Sequence, residues 1–93
     1  MRSSSFYGCM TFPMDLYIPR NSPLIGKSAK EVLTSFGLDT ISTYVLDRKA
    51  GKRKNLKPMD PESKFEARTN ILCTGTLGII KDFKKEYHLW RVN

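Results

Sequence analysis

The sequence holds one histidine, His88, and two cysteines, Cys9 and Cys73. Acid–base and nucleophilic chemistry need a titratable group held against a partner, such as a hydroxyl or thiol beside an imidazole. His88 follows an amphipathic stretch near the end of the chain with no carboxylate cluster beside it, so no Ser-His-Asp or Cys-His set assembles. Two distant cysteines and one histidine cannot close a zinc site. Asp60, Glu62 and Glu66 lie in a proline-rich loop, where a carboxylate pair can hold a cation or simply solvate a turn. These residues predict a chain with no catalytic residue, no metal and no cofactor.

Anion binding is better represented. Gly26-Lys27-Ser28 precedes a helical pattern, so backbone amides and a lysine converge on a helix N-terminus. The stretch is not a P-loop, because Asn21 stands where the first glycine of that motif would be. Gly75-Thr76-Leu77-Gly78 opens a second helical pattern, but Ile80 replaces the last glycine of a dinucleotide fingerprint. Both signals are weak, and ordinary helix capping is the plainer account of each stretch. Arg48, Lys49, Lys52, Arg53, Lys54 and Lys57 crowd a hairpin tip and its return strand, where they can lie along phosphates or solvate a turn. Aromatic residues do not alternate with these charges, and only Tyr44 lies close in sequence, so no base-stacking platform is expected.

The elements that must position these groups follow from periodicity and breakers. Met14 to Ile18 alternates as a short strand that Pro19 ends, and Pro19-Arg20-Asn21-Ser22-Pro23 is a turn. Ser28 and Glu31 form the S-x-x-E capping box of a helix with Val32, Leu33 and Phe36 on its apolar face, and Gly37 is its left-handed cap. Ile41 to Leu46 is a β-branched and aromatic strand, Asp47 to Gly51 a turn, and Lys52 to Lys57 a polar, edge-like return strand. Pro58-Met59-Asp60-Pro61 forbids regular structure. Asn70 to Thr74 is an apolar central strand broken by Gly75. Thr76 then caps a helix to about Tyr87, with Leu77, Ile80, Phe83 and Tyr87 as one buried stripe. His88 to Asn93 has no clear pattern.

The predicted fold is therefore α+β, a small mixed or antiparallel sheet with two helices in the order β-α-β-β-β-α. Residues 1–11 read as a flexible lead-in and residues 12–93 as one domain. A chain of 93 residues, 40% hydrophobic and 27% charged, fits a single globular unit. Its net charge of +7 favours acidic partners such as nucleic acid, anionic lipid or a phosphorylated small molecule, or serves solubility. Cys73 lies in an apolar run and Cys9 in a polar one, a pattern that fits unpaired thiols in a reducing cytoplasm. The most apolar stretch, Ile71 to Ile80, is too short to span a bilayer, and the N-terminus lacks the apolar core of a signal peptide.

Ser22-Pro23-Leu24-Ile25-Gly26-Lys27-Ser28-Ala29-Lys30-Glu31-Val32 resembles the opening of TrkA-C domains, also called RCK C-terminal domains. Three later stretches resemble the family in order: the strand Ile41 to Arg48, the Pro-Asp loop Lys57 to Phe65, and the strand and glycine Ile71 to Thr76. Leu77 to Tyr87 is similar to the family's closing helix. Two departures stand out. Glu66-Ala67-Arg68-Thr69 replaces the usual Gly-Asp turn, and Leu33 to Asp39 lacks the arginine and asparagine of members that bind cyclic di-AMP.

The resemblance implies a non-catalytic regulatory domain of a potassium, cation or other solute transport system. It would act as a cytoplasmic homodimer, held at the inner membrane face by a transporter subunit or by a transmembrane part of the same chain. It implies a small anionic ligand such as a cyclic dinucleotide, and it argues against nucleic acid as the partner. Within that frame Pro23, Leu24 and Ile25 are the expected cleft wall or interface, and Arg20, Asn21 and Lys27 the polar groups that meet an anion. The competing expectation is a nucleic-acid contact through Arg48, Lys49, Lys52, Arg53 and Lys54.

Overall fold

The computed structural model describes residues 10–92. Its elements are β1 (Thr11–Ile18), α1 (Ala29–Phe36), β2 (Thr40–Asp47), β3 (Lys52–Pro58), β4 (Thr69–Thr76), α2 (Leu77–Glu86) and β5 (Trp90–Arg91). The strands form one antiparallel sheet in the order β3-β2-β4-β1-β5. Because β4 runs antiparallel to both β1 and β2, those two are parallel to each other. They flank β4 as a split β-α-β unit crossed by α1. In the same way β4 and β5 flank β1, with α2 as the crossover.

Strand alternation sends one set of side chains to the helices. Leu16, Ile18, Ile41, Ile71 and Cys73 point to that face and are buried against Ala29, Val32, Ile80 and Phe83. Phe36, Phe83 and Tyr87 meet edge to face, with ring centroids 5.5 to 5.6 Å apart, and so join the two helices. The opposite face carries Asp15, Tyr17, Tyr44, Leu46 and Asn70, and no helix covers it.

α1 begins as its cap requires. Ser28 Oγ accepts from the Glu31 amide at 3.2 Å, and Gly37 closes the helix at φ 73° with its amide bonded to the Leu33 carbonyl at 2.9 Å. The Glu31 carboxylate does not complete a reciprocal box as drawn from sequence; it lies 3.7 Å from Lys27 Nζ. Thr76 caps α2 by accepting from the Ile79 amide at 3.4 Å.

Four expectations are corrected. Thr11 belongs to β1 and not to a lead-in, because it pairs with Thr76; residues 1–9, including Cys9, lie outside the described residues. Gly75 does not break β4 but sits inside it opposite Phe12, where a Cβ would lie 3.1 Å from Leu38 Cδ2. The glycine is there for a close approach, not for a turn. Leu77 is exposed, because it is the first residue of α2, and the buried stripe is Ile80 and Phe83 flanked by Ile79 and Tyr87. The tail is ordered into a strand: Trp90 pairs with Tyr17 and Arg91 with Leu16, after a turn in which His88 adopts φ 55°.

Candidate functional site

The segment after β1 is built from successive tight turns. Ser22, Ile25 and Lys27 amides bond to the carbonyls of Pro19, Ser22 and Leu24 at 3.1 to 3.2 Å. Ser22 anchors the segment: its hydroxyl donates to the Tyr87 carbonyl at 2.6 Å and accepts from the Leu24 amide at 3.1 Å. These turns drive Leu24 into the core, where it is fully buried. Leu24 is therefore not a cleft wall, which corrects its sequence-based role. Pro23 is exposed, and Ile25 is 37% exposed. Lys27 is half-buried at the start of α1. Arg20 and Asn21 stand apart from these residues, in a shallow depression with Tyr17, Pro19, Arg68 and Trp90.

The Ser22–Val32 stretch and the Lys57–Phe65 loop form one unit. The Gly26 amide bonds to the Phe65 carbonyl at 3.0 Å, and the Phe65 amide to the Lys27 carbonyl at 2.9 Å. The Ala29 and Lys30 amides, orphaned at the start of α1, bond to the Ser63 and Pro61 carbonyls at 3.0 and 2.9 Å. Two helix amides that an anion could have used are thus satisfied by the chain itself. Beside this unit lies a cavity of about 360 Å³, lined by Thr43, Lys57, Met59, Asp60, Lys64 and Phe65 among others. None of Arg20, Asn21, Pro23, Leu24, Ile25 and Lys27 lines it; Lys57 of the basic cluster and Asp60 and Glu66 of the acidic loop do. The prolines of the loop marked a break in regular structure but gave no sign that the loop folds back to make a wall.

The basic cluster is divided. The hairpin turn is closed by Asp47, whose carboxylate accepts from the Lys49 and Ala50 amides at 3.1 and 3.3 Å, and by Gly51 at φ 64°. Register then sets Lys54 opposite Val45 and Lys57 opposite Thr43 on the helix-bearing side, and Arg53 opposite Leu46 on the open face. An irregularity at Asn55, φ 58°, separates the two halves of the strand. Lys49, Lys52 and Lys54 remain exposed, and Arg48 borders the open face.

Arg53 donates from Nε and Nη2 to Asp15 Oδ1 and Oδ2 at 2.9 and 2.8 Å. Its guanidinium lies 5.7 Å from the centroid of the Tyr44 ring, and the Tyr44 hydroxyl donates to Asp15 Oδ1 at 2.9 Å. The hydrogen bond from Arg53 holds the Asp15 carboxyl below its ordinary value despite partial burial. Burial first, and the hydrogen bond to Asp15 second, push the Tyr44 phenol up to about 12. Arg53 is raised further by its bond to Asp15. Cys73 is free and buried, and burial raises its thiol to about 12.

The fold also brings together what the sequence keeps apart. Tyr17 and Trp90 form a tilted pair on the open face, 5.3 Å between centroids, and Trp90 is 60% exposed. With Tyr44, Leu46, Arg48, Arg68 and Asn70 they border a depression of about 580 Å³. Strand pairing thus sets aromatics from both ends of the chain beside Arg48 and Arg68. The signal in the sequence was Tyr17 in an alternating strand and Trp90 in a tail without pattern.

Among the described residues no group of three or more His, Cys, Asp and Glu side chains could hold a metal ion, and no helix is long and apolar enough to cross a membrane. No known protein-family model matches the chain, and no curated protein aligns with it significantly.

Proposed function

We propose that this chain is a regulatory ligand-binding domain of a potassium, cation or other solute transport system, acting as a cytoplasmic homodimer at the inner face of the membrane. The observation that supports it is the interlocked backbone unit of Ser22–Val32 and Lys57–Phe65. Two of the stretches that resemble TrkA-C domains, separate in sequence, are joined by four backbone hydrogen bonds. A rigid unit of this kind, flanked by a cavity and by exposed Pro23 and Ile25, suits a domain that reads a small anionic ligand and passes on a change in orientation.

The test is a thermal-shift screen of nucleotides, cyclic dinucleotides and simple ions, with the mass followed by light scattering. A ligand at a hundredfold excess over its Kd adds about 2.7 kcal/mol, roughly 11–22 °C for a domain of this size. The expected result is a dimer stabilised by one ligand class. A monomer at high concentration with no stabilising ligand overturns the reading.

A further inference from the structure

We infer that the open face of the sheet binds single-stranded nucleic acid, in a trough that crosses all five strands. The inference does not rest on the transport reading and needs neither a dimer nor a transporter. Three depressions of about 250, 580 and 470 Å³ adjoin along this face. The first and second share Tyr17, Arg68 and Trp90, and the second and third share Tyr44, Leu46 and Val92. They form one continuous path from Arg20 and Asn21 at one end to Arg53 and Leu56 at the other. Five strands spaced about 4.8 Å apart make that path roughly 19 Å long, which suits an extended chain better than a single nucleotide.

Net charge along the path is positive. Arg20, Arg68, Arg48, Lys52 and Arg53 border it, and its one carboxylate, Asp15, is neutralised by Arg53. A polyanion meets no uncompensated acid there. Trp90 leaning on Tyr17 offers an exposed ring face to a base, and the Asn70 amide, on the other side of Tyr17, can meet a base edge. An exposed aromatic ring flanked by arginines on the helix-free face of an antiparallel sheet is what stacking of unpaired bases needs. A duplex, whose bases are stacked internally, has no use for them.

Trp90 is the only tryptophan in the chain and so reports directly on the face. The experiment titrates the full chain with a labelled single strand of about ten nucleotides, read by anisotropy and by Trp90 emission, with a duplex of the same length, a mononucleotide, and phosphatidylserine-containing vesicles as parallel arms. Binding of the single strand is expected to quench Trp90, to be tighter than that of the duplex or the mononucleotide, and to fall with salt at a log–log slope of about −2 to −3. Trp90→Ala should weaken it about 5- to 100-fold. Arg48→Gln, in an exposed turn where folding is not at issue, should weaken it and flatten the salt slope. Any one of the following overturns the proposal: no binding at low salt, a duplex or mononucleotide bound as tightly, both variants binding like the wild type, or vesicles shifting Trp90 emission while the single strand does not.

Discussion

Asp15 and Arg53 are 38 residues apart in the chain and lie on strands separated by two others, yet they are joined by two hydrogen bonds of 2.9 and 2.8 Å across the open face of the sheet. The arginine reaches its partner by lying along the ring of Tyr44, whose hydroxyl holds the same carboxylate. The three side chains act as a strap that holds an edge strand to the centre of the sheet. Half of the Arg53 side chain is in solvent, so its contribution is modest. Asp15→Asn is expected to cost about 1 kcal/mol and Arg53→Ala somewhat less, a fall in Tm of about 4–8 °C for the first. A double-mutant cycle by thermal denaturation should return a coupling of about 0.5 kcal/mol; a coupling of zero would show the strap to be ornamental.

The same three groups set the pH limits of stability. The Asp15 carboxyl is lowered from 3.8, so its contribution is present above the unfolded value and is lost as pH falls through the lower folded one. The Tyr44 phenol is raised from 10.0 to about 12, so the folded state favours its neutral form; that contribution is complete below pH 10 and disappears as pH climbs toward 12. Cys73, raised from 9.0 to about 12, adds to the alkaline loss. Tm measured against pH should show a plateau with a limb at each end. Asp15→Asn should remove part of the acid limb and Tyr44→Phe part of the alkaline one. Ultraviolet titration of the native protein should show a late-titrating tyrosine that Tyr44→Phe removes.

Ser22 ties the turn segment after β1 to the end of α2, and is itself buried. Replacing it by alanine leaves the Tyr87 carbonyl and the Leu24 amide without their partner in a site closed to water. Ser22→Ala should therefore cost about 2 kcal/mol, while Ser35→Ala on the exposed side of α1 should change Tm by no more than a degree or two. Hydrogen exchange should accelerate at Leu24 in the Ser22 variant before it does in β4.

Gly75 allows the segment after α1 to press onto β4, with Leu38 buried over it. A methyl group would meet Leu38 Cδ2 at 3.1 Å and force it to shift. Gly75→Ala is expected to destabilise by about 1–2 kcal/mol, and Gly78→Ala, where a Cβ meets nothing within 4 Å, to be neutral or mildly stabilising in its helix. Equal effects at the two positions, read by denaturant midpoint, would contradict the close approach.

Much of the fold was legible where local chemistry decides it. Ser28, Gly37 and Thr76 cap their helices as their types require, and the polar run Lys52 to Lys57 forms an edge strand because nothing in it needs burial. What was not legible depends on distant pairing. Trp90 and Arg91 make a strand only because β1 offers a free edge beside Leu16 and Tyr17. Leu24 reads as an exposed loop residue until Ser22 and Tyr87 turn its segment inward. The candidate site suffered most from this. Arg20 and Arg48 were visible as charges, but the aromatic rings they join come from Tyr17 and Trp90, at opposite ends of the chain.

The seven residues of β3 are all exposed, four of them lysine or arginine, and the strand ends in Pro58 with a kink at Asn55. Such an edge is a poor template for a further strand, because an incoming backbone would have to displace charged side chains and find no amide at the proline. On this side the molecule resists fibre growth. A further strand is directed instead to the opposite margin, where β5 covers β1 only at Leu16 and Tyr17.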